Sequence, residues 1–222
     1  WNEPGRPAHL QVADKRTRKR LPSPKALDDP EMRVRVLHTF ANHELMALEL
    51  MAWALLAFPE APKSFRLGLA AIMLDEQRHT QLYINRLKEL GADFGDLPLN
   101  DHFWRVAESL NTPLKWECAM NLTFEQANLD HAPVYETHFK RVGDLPSAAI
   151  MRTIAEDEEL HVGFGAQFLK AHTPKGRASF DVYAENLTFF NSPKRARGEP
   201  FQVEARERAG LDEDFIKRMR EL

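Results

Sequence analysis

Two short stretches of the chain carry the residue types that bind metal ions. One reads Asp75-Glu76-Gln77-Arg78-His79 and the other Asp157-Glu158-Glu159-Leu160-His161. Both are D-E-x-x-H, and their first residues lie 82 positions apart. On a helix, residues three apart share a face, so each Glu and its His can grip one ion together. A second carboxylate accompanies each motif. Glu44 precedes Glu76 by 32 residues, and Glu125 precedes Glu158 by 33. If each pair lies on an antiparallel helical hairpin, these near-equal offsets put the two acids of each hairpin at one height. The chain then reads as a disguised duplication that turns Glu44, Glu76, His79, Glu125, Glu158 and His161 inward. Four inward carboxylates are costly unless neutralised, and two divalent cations would cancel their charge. Hard oxygen and imidazole donors suit iron, manganese or a mixed pair.

Neighbouring residues suggest supporting roles. Asp75 and Asp157 could each accept the free N–H of the opposite motif's histidine, Asp75 from His161 and Asp157 from His79. Tyr83 lies four residues after His79 and faces the same way, either as a core tyrosine or as a redox-active group. His43 adjoins Glu44 and reads as a substrate-side or core histidine. His43 and Tyr83 are the candidates for a catalytic part. Glu49 and Asp130, five residues beyond Glu44 and Glu125, read as ion-pair partners across the hairpins. Glu117 is a weaker candidate for lining an access channel, and His131 and His138 read as surface groups.

Helices must hold these residues. Asp29-Pro30-Glu31 has the form of a helix start: an acidic cap, proline at the first position and an acid in the first turn. Apolar residues at three- and four-residue steps carry that helix to Phe58, where Pro59 and Pro62 follow. A second helix is predicted from Ser64 to Leu90, ended by Gly91. Between Ala92 and Asn111 a connection holds a short helix over Asp101–Leu110. Thr112-Pro113 opens a third long helix that runs to Arg141 with a kink at Pro133. Leu145-Pro146-Ser147 opens a fourth, to His172. No β-alternation is evident. The predicted fold is all-α: a ferritin-like four-helix bundle over 30–172 with one long crossover. An irregular N-terminal arm (1–29) precedes it. A C-terminal appendage (173–222) follows, with short helices over Ser179–Phe189, Val203–Ala209 and Asp212–Leu222.

Composition narrows the functional classes. The chain has 222 residues, 43% hydrophobic and 28% charged, with a net charge of -3. That balance does not favour a general nucleic-acid-binding surface. The cluster Lys15–Arg20 reads as a solvated arm lying on the domain, and Lys194, Arg195 and Arg197 fall in a loop between the C-terminal helices. The longest apolar run, Leu50 to Phe58, is nine residues, where a membrane span needs about twenty. Cys118 is the single cysteine, which excludes a disulfide framework and a thiolate zinc site. No signal-peptide pattern is read at the start, and a cytoplasmic location is expected. The chain opens on Trp1 rather than Met, which leaves room for residues upstream.

The DExxH motifs resemble those of the ferritin-like di-iron carboxylate superfamily. That superfamily includes ribonucleotide reductase small subunits, bacterial multicomponent monooxygenases, rubrerythrins and, more distantly, the tRNA hydroxylase MiaE. A closer resemblance spans nearly the whole chain. It is to a ferritin-like family catalogued as domain of unknown function 455. It rests on Gly5-Arg6-Pro7, His43-Glu44-Leu45 with Glu49-Leu50, and both DExxH motifs. Leu90-Gly91, Gly95-Asp96-Leu97-Pro98, Leu129-Asp130, Glu204-Ala205-Arg206 and Ala209-Gly210 also match. By this resemblance the six residues above are the metal ligands.

The expected function is an O2-dependent, hydroxylase-like oxidoreductase. It would take a small molecule in an apolar pocket on the His43 and Tyr83 side. An external electron donor is required, since no flavin, haem or iron–sulfur motif is present. Iron storage with ferroxidase activity is the alternative, or a bundle that metals merely staple together. RNA modification is a further reading supported only by the basic clusters, and a homodimer through outer helix faces is possible.

Overall fold

A computed structural model describes residues 5–14, 21–187 and 192–222. The basic cluster at 15–20 and Phe189 lie outside the described residues. Among the described residues the fold is helical, with one isolated β-bridge between Val12 and Leu99.

Helix α1 spans Pro30–Ala57. The Asp29 carboxylate caps it by accepting from the Glu31 amide at 2.9 Å, and Pro30 occupies the first turn, where its missing N–H costs nothing. Helix α2 spans Lys63–Glu89. Gly91 takes φ +77°, and the Ala92 amide returns to the Leu87 carbonyl at 3.0 Å, which satisfies the orphan carbonyls of the helix end. Helix α1 packs along α2 as one hairpin.

The predicted third helix is divided. Helix α3 covers Pro113–Ala119, a π-helical stretch covers Met120–Glu125, and α4 covers Gln126–Arg141. The departure from α geometry is therefore at Met120–Glu125, while Pro133 sits inside α4. A buried hydroxyl supports the wider turn: Thr123 Oγ1 donates to the Cys118 carbonyl, five residues back, at 2.7 Å. π-turns inside helices often mark functional positions, and Glu125 ends this one. Helix α5 spans Leu145–His172 and packs along α4 as the second hairpin.

The hairpins meet where α2 touches α5. Gly68 permits the approach, because a Cβ there would lie 2.2 Å from the Phe164 ring. Gly165 does the same against the π stretch, 2.8 Å from the Asn121 Cβ.

The crossover helix is shorter than expected, a 3-10 turn over Trp104–Ser109. Short 3-10 turns commonly serve as connectors. Helices α6 (Ser179–Asn186), α7 (Val203–Arg208) and α8 (Glu213–Arg220) follow, and α6 and α7 pack against α5. No described helix is long and apolar enough to cross a membrane.

Candidate metal centre

Glu44 comes from α1, Glu76 and His79 from α2, and Glu158 from α5. All four are buried, and one donor atom from each lies within 4.8 Å of the others. His161, also buried, points its Nδ1 at Glu158 Oε2 (3.0 Å) and Glu76 Oε1 (3.2 Å). His79 Nδ1 lies 3.8 Å from Glu44 Oε2 and 3.9 Å from Glu76 Oε2. Glu76 thus stands between the two imidazoles. Glu125 is buried at the end of the π stretch. Neither it nor His161 belongs to the set of four mutually close donors.

The donor atoms lack the partners that buried polar groups ordinarily have. Both carboxylate oxygens of Glu76, His79 Nδ1 and Glu125 Oε1 are buried without a hydrogen bond. Such atoms are expensive in a core, and a cation would satisfy them together. The residues present therefore fit a hard divalent metal.

Electrostatics give the same picture. Burial pushes the Glu44 carboxyl well above the usual range, and Glu76 beside it adds to the effect. Burial does the same to Glu125, reinforced by Glu158, Glu76 and Glu44. Glu76 is held low: burial opposes this, but His161 and His79 outweigh it. Burial disfavours the charged form of His79, yet Glu44 and Glu76 hold its pKa up to about 11. His161 is raised in the same way, against burial, by Glu158 and Asp75. Without metal, protons balance the charge of this cluster, on the same lone pairs a cation would use.

The outer faces of both imidazoles meet aspartates from the opposite motif. His79 Nε2 lies 3.0 Å from Asp157 Oδ2, and His161 Nε2 lies 3.5 Å from Asp75 Oδ2. Arg78 donates to both aspartates, at 3.1 Å to Asp75 and 2.7 Å to Asp157. Asp75 is drawn down to about 2, first by His161 and then, against some burial, by Arg78.

A family model matches residues 1–217. The chain belongs to the family described as Protein of unknown function (DUF455). No curated protein and no solved structure matches it. In this DUF455 chain a cavity of about 410 Å³ adjoins the cluster, with Glu44 and Glu125 in its wall. His43 and Tyr83 line it too. Burial pushes His43 down to about 4. Burial, then Glu44, Glu158 and Glu76, drives the Tyr83 phenol well above its ordinary value, so it keeps its proton.

Several roles differ from the sequence reading. Glu49 and Asp130 do not pair across the hairpins. Glu49 takes Arg6 of the N-terminal segment at 2.7 and 2.9 Å and the Trp104 indole at 2.9 Å. Asp130 takes Arg206 of α7 at 2.7 and 2.8 Å, both side chains fully buried. Pairing to distant segments leaves no signal in local spacing. Glu117 is not among the cavity residues; it is buried, and its Oε2 accepts from Asn121 at 2.7 Å. His131, exposed, does line the cavity. Asn128, which donates to Glu158 Oε1 at 2.9 Å, was not singled out by motif or spacing. Its place one α-turn after Glu125 was the available clue.

Proposed function

We propose that this chain is a ferritin-like di-metal carboxylate protein that uses O2 to oxidise a small molecule. The supporting observation is the set of unpartnered buried donors beside a cavity that two of the carboxylates enter. Glu44, Glu76 and His79 would hold one ion, and Glu125, Glu158 and His161 the other. Glu76 lies 3.9 Å from His79 Nδ1 and 3.2 Å from His161 Nδ1, between the two proposed ligand sets. Iron, or manganese with iron, would supply O2 reduction when bound. Storage proteins share such donors, but the walled cavity favours turnover of an organic substrate.

The chain's own residues have definable tasks in this reading. Asp157 and Asp75 fix the tautomers of His79 and His161, so that each Nδ1 faces the ions. Arg78 donates to both aspartates and so holds them in place. Asn128 steadies Glu158 by donating to one of its oxygens. Tyr83, protonated and buried between the carboxylates and the cavity, can donate a hydrogen bond or an electron. His43 borders substrate. Electrons come from an external donor.

Metal analysis of the purified protein tests the reading. About two iron or manganese ions per chain are expected, with loss of both in a Glu76→Ala, Glu158→Ala double variant. Reduced, metal-loaded protein should consume O2. Full metal content in the double variant, or no reaction with O2, would overturn it.

A further inference from the structure

The walls of the cavity carry information about what enters it. Five aromatic rings line it: Phe40, Tyr83, Phe103, Phe124 and Tyr135. They are ordered against one another. Phe103 and Phe124 stack at 4.3 Å and 19°, and Phe40 meets Tyr135 edge-on at 4.9 Å and 89°. Paired rings of this kind offer faces and edges to a further ring, at separations of roughly 4.5–7 Å.

No Lys or Arg is among the described lining residues, and the ionisable acids there are Glu44 and Glu125. Arg195 packs over the Phe124 ring at 5.5 Å but is not part of the lining. Two polar wall groups are already engaged by the protein. The Tyr135 hydroxyl donates to the Pro22 carbonyl at 2.8 Å, and the Asn128 amide donates to Glu158. A buried anion would lose its hydration and find no cationic side chain among the described lining residues to offset the loss, which penalises it heavily.

We propose that this cavity selects an uncharged, ring-bearing apolar molecule and turns away organic anions of the same shape. This deepens, and rests on, the reading of the cavity as the substrate site. Its volume of about 410 Å³ falls within the range of small-molecule sites, roughly 300–1,000 Å³. Recognition comes from ring contacts and exclusion of charge, with few hydrogen bonds.

Calorimetric titration of the purified protein with 4-methylanisole and indole, against 4-methylbenzoate as the size-matched anion, tests this. The neutral probes should bind at least tenfold more tightly than the anion. Ala132, buried in the cavity wall, provides the control for location. Ala132→Phe should weaken neutral-probe binding at least tenfold, and the milder Ala132→Val should weaken it less. An anion bound as tightly as the neutral probes would overturn the proposal. So would probe affinity unchanged in both variants. Metal content measured on the same samples separates the two readings, because a metal-free wild type that still prefers neutral rings would refute only the di-metal centre.

Discussion

His79 and Asp157 face each other across the α2–α5 contact, ring Nε2 3.0 Å from carboxylate oxygen, although 78 residues separate them in the chain. The opposite motif repeats the contact between His161 and Asp75 at 3.5 Å. Each DExxH motif therefore supplies a Glu and a His inward and lends its Asp to the other motif's ring. Removing such a carboxylate typically weakens metal binding 10- to 100-fold. Asp157→Asn should show a loss of that size in a competitive chelator titration, with helical content unchanged by circular dichroism. An affinity equal to wild type would show that the aspartate serves only the surface pair with Arg78.

Protonation of the cluster makes metal affinity depend on pH. In the metal-free protein Glu44 and Glu125 are held well above the carboxylate range, and His79 is raised to about 11. Their protons occupy positions a cation needs, so uptake must release them. Apparent affinity should rise with pH and fall in acid. An indicator dye in weakly buffered solution should record proton release on adding Mn2+. Release should vanish in the Glu76→Ala, Glu158→Ala double variant.

Glu117 gives a separate test on stability. It is fully buried, and burial lifts its pKa to about 8, against partial relief from the Asn121 amide. The folded state therefore holds a proton that the unfolded chain has lost between about pH 4.5 and 8. That difference makes stability fall as pH rises through this window, by on the order of 5 kcal/mol for a shift of this size. Glu117→Gln keeps the shape and removes the charge. It should match wild type near pH 4, where the Glu117 carboxyl is largely neutral in the folded and the unfolded chain alike, and exceed it clearly at pH 9 in urea unfolding.

The N-terminal wall of the cavity depends on one buried hydroxyl. Tyr135 donates to the Pro22 carbonyl at 2.8 Å, and Leu21 to Pro24 line the cavity. Tyr135→Phe should cost about 1 kcal/mol of stability. It should also speed amide hydrogen exchange at Ala26, whose N–H donates to the Ser23 carbonyl at 2.8 Å, more than in α1.

The helices were legible because their signals are local. Caps at Asp29 and Thr112, prolines at first turns and Gly91 at an end are written in adjacent residues. The convergence of Glu44, Glu76, His79 and Glu158 was within reach of counting, from near-equal offsets of 32 and 33 residues along two hairpins. The π stretch was not legible, because Met120–Glu125 has ordinary helical composition and its wider turn depends on Thr123 and the packing at Gly165. The partners of Glu49 and Asp130 were hidden for another reason. A carboxylate on a helix does not reveal which distant guanidinium will fold onto it.

Those two acids occupy equivalent places, each five residues after a candidate ligand, and each grips an arginine from an opposite end of the chain. Glu49 anchors Arg6, and Asp130 anchors Arg206. A fragment trimmed to residues 30–172 would strip both guanidiniums from their carboxylates and uncover the apolar faces that the C-terminal segment buries. Phe180, Ala205 and Phe215 of the three C-terminal helices share one core cluster with Val162 and Leu169 of α5, so the truncation leaves that apolar surface facing water. Expression of the helical hairpins by themselves should therefore yield insoluble or molten material, and the tails belong in any protein prepared for metal or substrate work.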